Sequence, residues 1–157
     1  MKFRSYQLFY LIALAALIAS LAVGSLFNLY ESDGSLSTFE NFRLVQQSTG
    51  EVSYVVCALG VVLIFDILLN IFGLFISFFQ NFELQKRVAI LSMLVVSGYY
   101  ILLLAYVLIL LYGASFTPAV SLLFPFVALV MNMLVFLSTR RTEAEILAKA
   151  SGFRLRD

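Results

Sequence analysis

Asp66 and Asn70 stand four residues apart near the middle of the apolar run Val52 to Phe79. Residues three or four apart share one face of a helix, so Asp66, Asn70, Gly73 and Ser77 line up as a single polar and small stripe. An ionised aspartate at the centre of a membrane helix costs about 2.5–3.5 kcal/mol on insertion scales, and such residues turn toward protein or water and mark function. The apolar runs of this chain contain no Lys or Arg, so Asp66 has no cation partner within them. It is expected to be protonated and hydrogen-bonded, or to meet a cation from another subunit. Counted from the same edge of the membrane, Ser97, Gly98, Tyr99 and Tyr100 fall at about the depth of Asp66 and Asn70. One of the two tyrosines is therefore expected to reach the carboxyl. In the last apolar run Ser121, Pro125, Ala128 and Asn132 share a face, and Asn132 is expected to complete the polar core. Pro125 is expected to free the carbonyl of Ser121, kinking that helix or inviting a side-chain donor.

The frame that positions these residues follows from composition. Apolar residues make up 62% of the 157 and charged residues only 12%, against roughly 25% charged in soluble domains. A bilayer core about 30 Å thick takes roughly 20 helical residues to cross. Four runs are long enough: Leu8–Leu29, Val52–Phe79, Val88–Tyr112 and Phe116–Leu137. The expected fold is all-α, a polytopic membrane protein built as a four-transmembrane-helix up-down bundle in one domain, with an outside loop over 30–51 and a tail over 138–157. Of the ten Lys and Arg residues, nine fall on the side of the two termini, and only Arg43 falls in the outside loop. By the positive-inside rule both termini are cytoplasmic, and in a bacterium the long loop is periplasmic. The first apolar run continues well past the roughly 7–15 residues of a signal-peptide core, so it is read as an uncleaved span.

Absences exclude most chemistry. There is no histidine, one cysteine (Cys57), no phosphate-binding glycine loop and no G-x-G-x-x-G pattern. Cysteine–histidine metal sites, Ser-His and Cys-His nucleophile pairs and nucleotide sites therefore have no ligands to build on. Neither catalysis nor a cofactor or metal is expected, and Cys57 is read as a small buried filler.

The connections carry further expectations. Ala16, Ser20 and Gly24 recur every fourth residue, a stripe that lets another helix approach closely within the bundle. Between turns at Asp33-Gly34-Ser35 and Ser48-Thr49-Gly50, Leu36, Phe39, Phe42 and Val45 recur every third residue. That spacing suits a short helix or an interfacial segment lying as a cap on the bundle, a strand pair over Phe42–Val45 being the alternative. Thr117-Pro118 reads as an N-cap and first helical residue. Thr142-x-x-Glu145 reads as a capping box opening a short amphipathic tail helix, or an extension of the last span. Glu145 and Lys149 are spaced as an ion pair, and Gly152 is a helix stop.

Gln7-x-x-Tyr10-Leu11, the stretch FFQNFELQKRVAILS over Phe78–Ser92, Pro125-x-x-Ala128-Leu129-x-x-Asn132 and a closing Arg154-Leu155-Arg156 together resemble an uncharacterised four-span inner-membrane protein family of Bacteroidota, a domain of unknown function. The similarity covers nearly the whole chain. Its most specific parts are Asn81, Leu84-Gln85 and Arg87. The spacing of Arg4 from Gln7 and the Phe153 position depart from the pattern. The resemblance implies four helices and an inner-membrane location and brings no activity. Asn81, Gln85, Arg87, Arg154 and Arg156 are taken as candidate cytoplasmic contacts. The partners expected are the lipid bilayer and either another membrane protein or further copies of the chain, with no nucleic acid. The function expected is that of an accessory or scaffolding subunit, the alternative being a small proton- or ion-coupled transporter or sensor with an Asp66–Asn70 relay.

Overall fold

The computed structural model describes residues 4–30, 34–110 and 115–150. Its order is helix α1 (Ser5–Val23), strands β1 (Ser25–Tyr30), β2 (Leu36–Glu40), β3 (Leu44–Gln46) and β4 (Val52–Ser53), helices α2 (Cys57–Phe78) and α3 (Phe82–Leu110), strand β5 (Ser115–Pro118), a 3-10 turn (Val120–Leu123) and helix α4 (Phe124–Ala150). Among the described residues four helices are long and apolar enough to cross a membrane. The 22 residues of α2 reach about 33 Å at 1.5 Å per residue, enough for a hydrocarbon core. Each of α1 and α3 packs on both α2 and α4, which gives a four-cornered bundle. Large side chains such as Phe75, Leu94 and Ile101 (59%, 64% and 70% exposed) point away from it. So continuous an apolar exterior suits lipid and not water.

The expectation of an all-α chain is corrected by a five-stranded antiparallel sheet of order β4-β3-β2-β1-β5 at one end of the bundle. The first span stops short of Leu29 because Gly24 turns to φ +73°, a conformation open to glycine, and the chain leaves the helix as β1. Leu36 and Phe39 lie on β2 and Val45 on β3, with Phe42 in the turn between. The three-residue spacing is thus a coincidence of two strands and a turn; strands do form, but over Leu36–Glu40 and Leu44–Gln46 and not as a pair over Phe42–Val45. Thr117-Pro118 belongs to β5, opposite Asn28 and Phe27, and not to a helix start. Both segments are short, and neither alternates cleanly between apolar and polar, since the buried positions of β2 are Ser37 and Phe39.

The sheet caps the bundle in the literal sense. Leu26, Phe27 and Leu29 of β1 and Phe39 of β2 share one buried cluster with Leu17, Leu59, Leu63, Tyr99 and Leu103. Phe27 and Phe39 stack with ring centroids 4.3 Å apart. The register shifts between Ser25 and Phe27, and the irregularity there lets the consecutive Leu26 and Phe27 both be buried. Because side chains alternate across a strand, Asn28, Thr38 and Val45, aligned across β1, β2 and β3, make a row on the opposite face.

At the other end of the bundle the helices run on beyond the expected spans. α3 begins at Phe82 and not Val88. The tail over 138–150 continues α4 as one helix in place of a separate tail helix. Thr142 accordingly does not cap a helix; its hydroxyl bonds the carbonyl of Ser138 one turn back, at 2.9 Å. Glu145 pairs with Arg141 at 3.4 Å, not with Lys149, and Lys86 of α3 reaches Glu143 of α4 at 2.8 Å. Pro125 is the second residue of α4, in the first turn where proline is tolerated. The Ser121 carbonyl accepts from the Phe124 N–H and is not left free. Cys57 opens α2 and is exposed, which corrects its reading as a buried filler.

Candidate intramembrane polar site

Asp66 and Asn70 share the inward face of α2 as their spacing requires, and both are fully buried. Their partner is Ser92 of α3. The Ser92 hydroxyl donates to Asp66 Oδ1 at 2.5 Å. Asn70 Nδ2 donates to Ser92 Oγ at 3.0 Å and to the Asp66 carbonyl at 2.9 Å. The hydroxyl is thereby used once as donor and once as acceptor. Asp66 Oδ2 and Asn70 Oδ1 are buried and take no hydrogen bond from any described residue.

Neither tyrosine reaches this carboxyl. Tyr99 donates to Asn41 Oδ1 at 2.9 Å, and Tyr100 donates to the Leu122 carbonyl at 2.8 Å. The reason is the start of α3. Moving it from Val88 to Phe82 carries every residue of that helix about 9 Å further toward the sheet at 1.5 Å per residue, which brings Ser92 up to Asp66 and takes the tyrosines past it. Asn132 is buried, but its Nδ2 bonds the Ala128 carbonyl of its own helix at 3.0 Å. It sits on α4, the helix diagonal to α2, and no hydrogen bond joins it to Asp66 or Asn70; the single polar core expected of these residues is not formed.

Two other polar sets tie the bundle. Toward the end that carries both termini, Gln7 Oε1 accepts from the Arg4 N–H at 3.1 Å, and Gln7 Nε2 donates to Ser77 of α2 at 3.3 Å. Beside it the ring of Tyr10, wholly buried, lies against Gly73. Under the sheet, Asn41 joins three helices: its Nδ2 donates to the Ser20 carbonyl of α1 at 2.9 Å, its Oδ1 accepts from Tyr99 of α3, and its carbonyl accepts from the Gly60 N–H of α2 at 2.8 Å. That last bond satisfies one of the N–H groups left open at the start of a helix. Sequence reading missed Asn41, Ser92 and Gln7 as site residues. A buried asparagine in a polar loop gives no signal of its own, whereas Ser92 is readable once the helix start is right.

The candidate cytoplasmic contacts divide. Asn81 is exposed and caps α3, its Oδ1 accepting from the Leu84 N–H at 3.2 Å. Arg87 is exposed and pairs with Glu83 at 3.0 Å. Gln85 is not a surface contact: it is fully buried, and its carbonyl accepts from the Tyr10 hydroxyl. Arg154 and Arg156, like Gly152 and Asp33, lie outside the described residues.

No family model matches the chain, and no curated protein matches it.

Chemically, the Asp66 set holds one carboxyl, one amide and one hydroxyl in a buried helix–helix contact. Among the described residues no group of three or more His, Cys, Asp or Glu could hold a metal ion. An amide in place of the carboxyl retains an oxygen for Ser92 to donate to, so Asp66→Asn should leave the folded protein within about 1 kcal/mol of the parent. Ser92→Ala removes the group that both side chains use and should cost about 1–3 kcal/mol. Thermal unfolding of the two variants in one mild detergent checks the order.

Proposed function

We propose that the chain is a non-enzymatic integral membrane protein, an accessory or scaffolding subunit of a larger bacterial inner-membrane complex. The supporting observation is how its buried polar side chains are spent. Asp66–Ser92, Asn70–Ser92, Gln7–Ser77 and the bonds of Asn41 each join different elements, which suits holding four helices under a sheet. The sheet offers a partner the Asn28, Thr38 and Val45 row and the open edges of β4 and β5. Among the described residues Arg4, Lys86, Arg87, Arg140, Arg141 and Lys149 collect at the opposite end, with Arg43 alone beside the sheet. That distribution supports cytoplasmic termini and a periplasmic sheet, as the resemblance to the Bacteroidota four-span family also implies.

The test is purification from native membranes in mild detergent, followed by intact mass and identification of co-eluting chains. A stoichiometric membrane-protein companion, lost on Thr38→Arg with the bundle still folded, is the expected result. A second reading, a small proton- or ion-coupled transporter or sensor, draws on the unpaired oxygens of Asp66 and Asn70. A protein that elutes without a companion, and in vesicles shows pH-driven flux that Asp66→Asn abolishes, would replace the scaffold reading with it.

A further inference from the structure

Where α1 begins and α4 ends, the two helices leave a polar cavity of about 330 Å³ between them. Its cations come from opposite ends of the chain, Arg4 ahead of α1 and Lys149 in the last turn of α4. The Arg4 guanidinium is held by a hydrogen bond from Nη1 to the Tyr6 hydroxyl at 3.1 Å, which leaves its other N–H groups to spare. Hydroxyls of Ser5, Ser138 and Thr142 line the same space. Among the described residues that line it the one carboxylate, Glu145, is already engaged by Arg141.

The surroundings specify the ligand further. Ser5, Leu8 and Ile12 follow one face of α1, and Ser138, Leu134 and Met131 follow one face of α4, each running from the cavity toward the bundle middle. Leu8 and Ile12 are exposed. A cationic, hydroxyl-lined head position thus opens directly onto apolar stripes at the edge of the membrane-crossing length. A phosphate carrying acyl chains matches both parts, whereas a free anion matches only the first.

We propose that this cavity binds the headgroup phosphate of an anionic phospholipid, with Arg4 and Lys149 as the charged contacts and its acyl chains lying along the α1–α4 seam. Arginine presents a planar fork that meets phosphate oxygens through two N–H groups, and a nearby lysine adds a point charge. The inference rests on the four helices crossing a bilayer. It is independent of the sheet and of any partner there, which lie at the other end of the bundle.

The experiment is native mass spectrometry of the purified full chain, relipidated with phosphatidylglycerol or with phosphatidylcholine. The expected result is one phosphatidylglycerol retained per chain, with phosphatidylcholine lost. Arg4→Gln and Lys149→Gln should each lower that retention about fivefold, Arg4→Lys should keep most of it, and Arg87→Gln, outside the cavity, should change nothing. Lys149 is exposed, so Lys149→Gln keeps the test valid even where changes at Arg4 disturb the helix start. Equal retention of the two lipids, unchanged retention in both glutamine variants, or the same loss in Arg87→Gln would overturn the proposal. Displacement of the lipid by excess inorganic phosphate would also overturn it, identifying a free-anion site instead.

Discussion

Asn41→Ala should be among the most damaging single changes on the sheet side of the bundle, lowering stability by about 2–4 kcal/mol. The substitution leaves a buried tyrosine hydroxyl and a helix carbonyl without the partners they have in the parent, and each orphaned buried group costs about 1–3 kcal/mol. The Asn41 carbonyl still accepts from the Gly60 N–H, so the link to α2 is retained and the loss falls on α1 and α3. Tyr99→Phe removes only one of these bonds and should cost about 1 kcal/mol. The double variant should lose less than the sum of the singles, because the hydroxyl that Asn41→Ala strands is then absent. Asn41→Asp should be worse than Asn41→Ala, since it turns a carboxylate oxygen toward the Ser20 carbonyl. Unfolding in mild detergent, followed by circular dichroism, measures all four. Strict additivity of Asn41→Ala and Tyr99→Phe would show that the two side chains act separately.

How much of this was legible follows from the same residues. The four helices were, because a bilayer crossing takes some 20 apolar residues and few other structures need them. The inward face of α2 was legible too, since Asp66, Asn70, Gly73 and Ser77 are spaced to one side and all four are buried. The partner of that face was not. Hydropathy begins α3 where the apolar residues begin, at Val88, whereas the backbone begins it at Phe82 beside the Asn81 cap. Polar residues such as Glu83 and Arg87 are compatible with a helix once it leaves the membrane, so apolar content locates the span and not the helix. The sheet was hidden for a related reason. Leu26, Phe27 and Leu29 are as apolar as the helix before them, and only Gly24 separates one from the other. A strand buried against helices has no need to alternate. Asn41 illustrates the remaining limit: its three links go to residues 21, 19 and 58 positions away, and no local pattern encodes such contacts.

The second large effect is expected at Gly73 of α2, against which the Tyr10 ring of α1 lies. A Cβ there would lie 2.6 Å from Tyr10 Cζ and 2.7 Å from Tyr10 Oη, inside the distance that carbon and oxygen atoms tolerate. The ring has little freedom to give way, for Tyr10 is 0% exposed and its hydroxyl reaches the Gln85 carbonyl of α3. The strain must therefore part α1 from α2, which also stretches the Gln7–Ser77 bond one turn further along. Overpacking of this kind costs about 1–3 kcal/mol for a single added methyl group, so Gly73→Ala should be destabilising by that amount and Gly73→Leu by more. In a helix with open space beside it the same exchange has the opposite sign, because alanine is favoured over glycine by about 1 kcal/mol. Gly98 of α3 provides that reference, since a Cβ built on it meets nothing within 4 Å. Gly98→Ala should be neutral to stabilising, and Gly73→Ala combined with Tyr10→Ala should cost less than the two changes added together. Melting temperatures in one detergent of Gly73→Ala, Gly73→Leu, Gly98→Ala, Tyr10→Ala and the Gly73→Ala/Tyr10→Ala double, five variants in all, decide the matter. Equal behaviour of Gly73→Ala and Gly98→Ala would mean that Tyr10 does not hold the two helices at this distance.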